Sequence, residues 1–350
     1  MILISAAFDH DPSARTVLQL LEQRGADVVM LTPAVLQEPS SLTISGARHG
    51  RADCVLRVGD RTIDLRDVRS AWLWRGWRPD PLVERFHPLA GRPAEWRFYN
   101  GEWALFHKGL CMLLSQLGAF CVNPPPWNVA FEEKCAQLAM AADAGLAIPT
   151  TLYTARPSTA RPLADAHGGS IVYKPFRAFV VEREVVDGQP TRVAKLLTNR
   201  IAAADLVETD DLLPTPGIFQ PYVSKDVELR IAVVGRRLFA CAIHSQLSER
   251  SREDWRRYDI ENTPYVPYEL PADVAGALLR LMERMGLVFG SADMIVTPEG
   301  EHVFLEVNPN GQFDFMARLA GLPVYEHLAA MLAAATPDYA IEEVATCGSR

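Results

Sequence analysis

Two adjoining segments near the C-terminal end carry the residues best suited to chemistry. In FGSADMIVTPEG (289–300) and the following HVFLEVNPNGQF (302–313), apolar and polar residues alternate on both sides of Pro298-Glu299-Gly300. Alternation of this kind predicts two antiparallel strands. A two-residue turn at Glu299-Gly300 then puts Asp293 opposite Glu306, with Cβ atoms about 5 Å apart. Asn308 follows Glu306 by two, so the pleat sets it on the same face. On the other face, Met294, Val296, Val303, Leu305 and Val307 are expected to be buried. Facing carboxylates repel, and a lysine or arginine, a shared proton or a cation must offset the cost. Three oxygen donors with no His or Cys among them suit Mg²⁺, which takes few protein carboxylates and completes its octahedron with water and phosphate oxygens. A turn shifted by one residue would instead leave the acids as solvated edge positions.

Magnesium held by so few protein ligands implies phosphate, and phosphate needs cations. The lysines are Lys108, Lys134, Lys174, Lys195 and Lys225. Lys174 ends an apolar strand, Ser170 to Lys174, and Pro175 stops the ladder. It projects either as a phosphate ligand or as a gatekeeper on an edge strand. A hairpin from Asp226 to His244 turns at Gly235-Arg236. Val227, Leu229, Ile231 and Val233 share one face and Glu228, Arg230 and Ala232 the other. Arg230 is a second candidate cation, or one half of a cross-strand ion pair.

Known signatures for other chemistry are missing. GxxxxGK[ST] is absent, as are HRD and DFG, the G-x-S-x-G elbow and HExxH, which removes P-loop, protein-kinase, serine-hydrolase and zincin readings. Six scattered cysteines with no CxxC make a disulfide framework or a zinc site improbable.

These residues must be positioned by a chain of 350 residues, enough for two or three domains. Its formal charge of −8, with most of the excess acid in the last third, disfavours nucleic acid and anionic membranes as partners, because phosphate arrays need clustered Lys and Arg. No apolar run approaches about 18 residues and MILISAAF lacks a basic lead, so a cytoplasmic location with reduced thiols is expected. A strand at Met1 to Ser5, a helix opened by Asp11-Pro12 and ended at Gly25, and a strand from Asp27 to Leu31 make a βαβ start. That first turn contains no glycine, so a dinucleotide site is improbable there. A long helix over about 94–117 and a short strand lead to Asn123-Pro124-Pro125-Pro126, where a domain boundary is expected. Asn128 then caps a helix ending at Gly145, and strands follow at Thr150 to Tyr153, Ser170 to Lys174, Phe179 to Val186 and Val193 to Leu197. WLWRGWRPDP, with Trp72, Trp74, Trp77, Arg75 and Arg78, serves core packing, peptide contact or base stacking.

Taken together, FGSADMIVTPEG, FLEVNPNGQF, YKPF and the hinge Gln220-Pro221-Tyr222-Val223 resemble the ATP-grasp superfamily. The likeness is to its RimK-like branch, and most of all to the graspetide synthetases such as the microviridin ligases. It spans about 123–333. The resemblance implies an α/β (α+β) architecture: an N-terminal open α/β pre-ATP-grasp domain (1–122), then an ATP-grasp fold holding ATP between two α+β subdomains (123–222 and 223–350). It implies Mg²⁺ on Asp293, Glu306 and Asn308. ATP phosphates fall to Lys134 and Lys174, adenine to the backbone of Gln220, Pro221, Tyr222 and Val223, and ribose to Glu228. Arg230 steadies the transferring phosphoryl group, with Lys174 beside it as the second catalytic cation. Pro221 stands where many relatives carry a glutamate that accepts from the adenine amino group, and the Gly-rich loop after the second lysine is absent. The implied activity is an ADP-producing ligase that activates a carboxylate as an acyl phosphate and macrocyclises a ribosomal precursor peptide through side-chain esters or amides. A peptide partner is implied, and a homodimer is compatible with it. A ligase adding a free amino acid, or a binding module without turnover, would use the same residues. His244, Gln246 and Arg318 are candidates for substrate contact.

Overall fold

The computed structural model describes residues 1–37, 40–46, 50–77, 89, 91–126, 134–176, 179–182, 185–186, 189–190, 193–196, 198–206, 215–257 and 259–341. Arg78, Asn128 and Leu197, named above, lie outside the described residues.

The N-terminal part opens as the βαβ pattern predicts. Strand β1 (Ile2–Ser5) leads into helix α1 (Pro12–Gln23), whose first turn is capped by the Asp11 carboxylate accepting from the Ala14 N–H at 3.0 Å. Pro12 takes the first helical position, where its missing N–H costs nothing. The helix buries Val17 and Leu21 and ends at Gly25, whose φ of +71° suits glycine. Then come β2 (Val28–Leu31), a short helix α2 (Pro33–Gln37), and an antiparallel sheet of β3 (Ser40–Ser45), β4 (Asp53–Val58) and β5 (Arg61–Asp64). Strand β6 (Ser70–Leu73), helix α3 (Pro93–Gln116) and β7 (Phe120–Val122) complete a parallel sheet in the order β2-β1-β6-β7.

The middle of the chain holds α4 (Lys134–Asp143), β8 (Leu152–Thr154), α5 (Arg161–Ala166), β9 (Ser170–Lys174), β10 (Phe179–Glu182), β11 (Val185–Val186), β12 (Gln189–Pro190), β13 (Val193–Leu196), β14 (Asn199–Ala202) and β15 (Gly217–Pro221). Of the strand expected from Phe179 to Val186, the described residues form β10, which pairs with β13, and β11, which pairs with β12 in the same antiparallel register. An antiparallel sheet runs β14-β9-β15-β8. Strand β9 is therefore interior, and Lys174 is not an edge-strand gatekeeper. Ile171 and Phe219 pack with Ala164 of α5 on one side, while Val172, Lys174, Ile218 and Gln220 turn to the other.

The C-terminal part is a five-stranded antiparallel sheet, β18-β17-β16-β19-β20, of β16 (Val227–Val234), β17 (Arg237–Ile243), β18 (Tyr265–Tyr268), β19 (Phe289–Val296) and β20 (His302–Asn308). Helix α6 (Ala272–Arg284) joins β18 to β19, and α7 (Asp314–Ala320) and α8 (Val324–Ala334) follow β20. The β16 alternation holds, with Val227, Leu229, Ile231 and Val233 packed against α6 and α4. From the other face, Ala232 and Val234 join Phe289, Phe313 and α8 in one core with Ile2, Ile4, Trp72 and Trp74 of the N-terminal sheet. Trp72 and Trp74 are both 0% exposed, so neither can stack on nucleic-acid bases. No described helix is long and apolar enough to cross a membrane.

Asp293 does face Glu306, through a register the sequence did not reveal. The loop has three residues, Pro298 to Gly300, and is closed by the Thr297 N–H donating to the Glu301 carbonyl at 2.9 Å. Met294 therefore pairs with Phe304, and a β-bulge at Leu305 restores the Asp293–Glu306 pair. The two-residue turn expected at Glu299-Gly300 is corrected accordingly. Phe304 enters the core beside Met294 and Val307. Val303 is buried beside Ala147 on the opposite side, and Leu305 turns into a cleft.

Candidate active site

The cleft lies between the β14-β9-β15-β8 sheet and the five-stranded sheet. Val172, Lys174, Ile218 and the hinge Gln220 to Val223 line one wall, and Glu228, Asp293, Ile295, Leu305 and Glu306 the other. Lys134 and Leu138 of α4 and the turn Asp254-Trp255-Arg256 close its ends. Helix α4 is held on β20 by the Gln137 side chain, which donates to the Val307 carbonyl at 2.8 Å and accepts from the Val307 N–H at 2.9 Å. Lys134, one turn earlier, thereby reaches Glu306 at 2.8 Å.

Cations supplied by the chain offset the repulsion between the facing acids. Arg230, opposite Asp293 on β16, donates to its carboxylate at 2.8 Å, the cross-strand ion pair that was one sequence reading of this residue. The same guanidinium donates twice to the Gln312 carbonyl, at 3.2 and 3.0 Å. That contact needs Gly311, where a Cβ would fall 2.4 Å from the Ser291 Cβ and 2.7 Å from the Arg230 Nη2. Arg256 binds both oxygens of Asp254 at 2.9 Å and points a third nitrogen at Glu306, 3.6 Å away.

The two facing acids are driven apart in basicity. Burial raises the Asp293 pKa, with Arg230 only partly opposing it. For Glu306 burial acts the same way, but Lys134 and Arg256 overcome it and hold the carboxyl down at about 2. Burial also raises Glu228, against the pull of Lys225 at 2.9 Å and of the Ser245 hydroxyl, which donates at 2.8 Å. Lys174 has no hydrogen bond or ion pair among the described residues, and burial pushes it down to about 8.

Lys134, Lys174, Gln220, Pro221, Tyr222, Val223, Glu228, Asp293 and Glu306 thus come together in one cleft. Asn308 stands exposed at the end of β20, opposite Ser291, its side-chain oxygen accepting from the Asn310 N–H at 3.0 Å. His244, Gln246 and Arg318 do not line the cleft. His244 precedes a short turn, Gln246 donates to the Arg252 carbonyl at 3.0 Å, and Arg318 is 72% exposed beside Asp314. Asp254 and Arg256 escaped the sequence reading, and Lys225, one of the lysines considered there, was not connected with Glu228. The available signals were an Asp-x-Arg step in EDWRR, which allows a local bidentate pair, and a lysine three residues before Glu228.

Among the described residues no group of three His, Cys, Asp or Glu side chains could hold a metal. The donor set that fits Mg²⁺ is two facing carboxylates with a neutral amide beyond them, a set that must draw further oxygens from a substrate. Four cations, Lys134, Lys174, Arg230 and Arg256, stand with three carboxylates, Asp254, Asp293 and Glu306. Of these cations Lys174 is paired with no carboxylate among the described residues, which suits a polyphosphate.

Solved structures share this architecture. A RiPP-associated ATP-grasp ligase from Chryseobacterium gregarium, solved with ADP and a leader and core peptide, superposes with a TM-score of 0.80 at 27% identity, covering 95% of this chain and 96% of that one. The macrocyclase MdnC from Microcystis aeruginosa, bound with its precursor peptide MdnA, gives 0.76 at 26% identity over 96% and 100% of the two chains. MdnB from the same organism gives 0.67 at 27% identity over 95% and 98%. No family model and no curated protein matches the chain. Architecture and cleft are thus those of solved ATP-grasp ligases, the macrocyclases MdnC and MdnB among them, to which the chain is similar over nearly its whole length.

Proposed function

We propose that this chain binds ATP with Mg²⁺ in the cleft and macrocyclises a ribosomal precursor peptide, joining side chains through an ester or amide. The observation that carries this reading is the cationic cluster around the facing Asp293 and Glu306, with Lys174 left unpartnered among the described residues. Nucleotide and precursor peptide accompany the structurally similar ligases, which supports a peptide as the partner here.

A carboxylate does not condense at neutral pH, because hydroxide would have to leave. ATP supplies a phosphoryl group that converts it to an acyl phosphate, and phosphate leaves when an amine or hydroxyl attacks. Bound Mg²⁺ would neutralise phosphate oxygens, held by Asp293, Glu306 and Asn308. Lys174, Lys134 and Arg256 bind phosphate charge from the chain's side, and Arg230 stabilises charge developing on the transferring group. Glu228 accepts from the ribose, kept in place by Lys225 and Ser245. The hinge presents its backbone to the base. No side chain is needed as a covalent nucleophile. We assign 1–122 to an N-terminal domain and 123–222 and 223–350 to the two ATP-grasp subdomains. Sheet membership supports this, since among the described residues no strand ladder crosses either boundary.

Glu306→Gln tests the site. The variant is expected to keep its melting temperature and lose ADP release by roughly a hundredfold or more. Retained turnover would refute the assignment. Mass spectrometry of a candidate peptide tests the reaction: loss of one or more waters supports cyclisation, and gain of an amino-acid residue mass shows a ligase adding free amino acids.

A further inference from the structure

We infer that the outer face of α3 is an interface between two copies of this chain, which cross antiparallel with Leu105 of each seated on Gly101 of the other. One face of this 24-residue helix already serves the N-terminal core, where it buries His107, Leu110, Cys111 and Leu114. The opposite face is apolar too. Phe98 is 71% and Leu105 66% exposed there, and no other large apolar side chain among the described residues is as exposed as Phe98. A helix that is apolar on both faces needs something to cover the second.

The spacing on that face is the spacing of a helix–helix seam. Ala94, Phe98, Gly101, Leu105, Lys108 and Met112 follow one another at alternate steps of four and three, which keeps them on one stripe. All but the half-buried Met112 are exposed. Gly101, and Gly109 beside the stripe, have no atom beyond the helix's own backbone within 4 Å of where a Cβ would stand, and neither has a positive φ. Glycine inside a helix weakens it, and nothing within the chain calls for it at these positions. Close approach of a second helix does. The stripe is complementary to itself: a two-fold level with Trp103 sets Leu105 over the other copy's Gly101, Ala94 opposite Met112, and Phe98 along the aliphatic stem of Lys108. The same two-fold brings Glu102 toward the other copy's Lys108 in both halves of the seam. Both residues are exposed, and neither has an ion-pair partner among the described residues. A parallel pairing would instead face Lys108 with Lys108 inside the seam.

Sedimentation equilibrium of the full chain over a range of concentrations tests this, with circular dichroism to verify folding. The wild-type chain is expected to dimerise. Gly101→Leu suits an isolated helix better than glycine does, but it fills the seat of the other copy's Leu105. Its dissociation constant should therefore rise by roughly a hundredfold or more while helicity is kept. Glu102→Lys should weaken the dimer by roughly tenfold, and adding Lys108→Glu to it should restore the affinity, because the exchanged charges still meet. A wild-type chain that stays monomeric, leaving the face to another kind of partner, would overturn the inference. So would a dimer that Gly101→Leu does not weaken, or a charge exchange that fails to restore what Glu102→Lys removes.

Discussion

Arg256 shows how a cation is kept available in a cleft where burial alone would drive charge out. Its guanidinium is gripped by both oxygens of Asp254, which burial opposes but Arg256 holds ionised with a pKa near about 2. The grip uses Nε and Nη2 and leaves Nη1 directed at Glu306. Asp254→Asn keeps the shape and removes the charge that aims this fork. The variant is expected to lose roughly ten- to a hundredfold in turnover, because an electrostatic donor misplaced by even a short distance forfeits most of its effect. Steady-state ADP release checks this, and a rate within twofold of wild type would mean that Asp254 does not position Arg256.

Among the elements, the hairpin β19–β20 and helix α8 each carry a feature that ordinary periodicity does not contain. The bulge at Leu305 places two consecutive residues, Leu305 and Glu306, on the cleft side while Phe304 and Val307 both enter the core. Such a bulge re-aims a side chain without changing the strands' partners. On α8, the His327 ring lies tilted against Phe239 and bonds the Tyr339 hydroxyl at 3.0 Å, and that hydroxyl donates to the Val234 carbonyl at 3.2 Å. Burial, and then the nearby Arg237, push the imidazole down to about 4. In the unfolded chain it titrates near about 6.5, so the unfolded state binds more protons between these values and stability must fall as pH drops from 6.5 toward 4. His327→Gln should flatten the melting temperature against pH across that window. Parallel curves for the two proteins would exclude His327 as a source of acid sensitivity.

For the molecule as a whole, the N-terminal parallel sheet and the C-terminal sheet share one core instead of meeting at a wet seam. Trp74 packs edge-on to Phe289 and Phe313 at ring separations of 6.2 and 5.6 Å, and the Ser70 hydroxyl donates to the Leu332 carbonyl at 2.7 Å. Phe313 directly follows Gln312, whose carbonyl receives Arg230. Trp74→Ala is therefore expected to cost about 3–5 kcal/mol and to loosen the loop that steadies Arg230, lowering activity even at temperatures where the protein remains folded. Calorimetry of the wild-type protein should show the two parts unfolding together. Two well-separated transitions would contradict the shared core.

Alternation along β16, β19 and β20 is local physics. A pleat of period two, short loops and Pro or Gly at the turns were enough to mark these strands and to put Glu228 and Arg230 on one side, whereas the Asp293–Glu306 pair itself depends on the bulge. The Asp11 cap with Pro12, and the step from helix to strand at Gly25, were legible for the same reason, since each depends on neighbours within one turn. The bulge was not, because one extra residue in a strand leaves the alternation almost intact and is decided by whether Phe304 or Leu305 fills the core better. Nor could the chain's order alone join Arg256 to Glu306, bring α4 onto β20 through Gln137, or sink Trp72 and Trp74 beneath α8. Local backbone preference chose the strands and the faces of their side chains. Long-range packing, which decides where a loop's side chains can point, chose the bulge that faces the two acids and the cations that surround them.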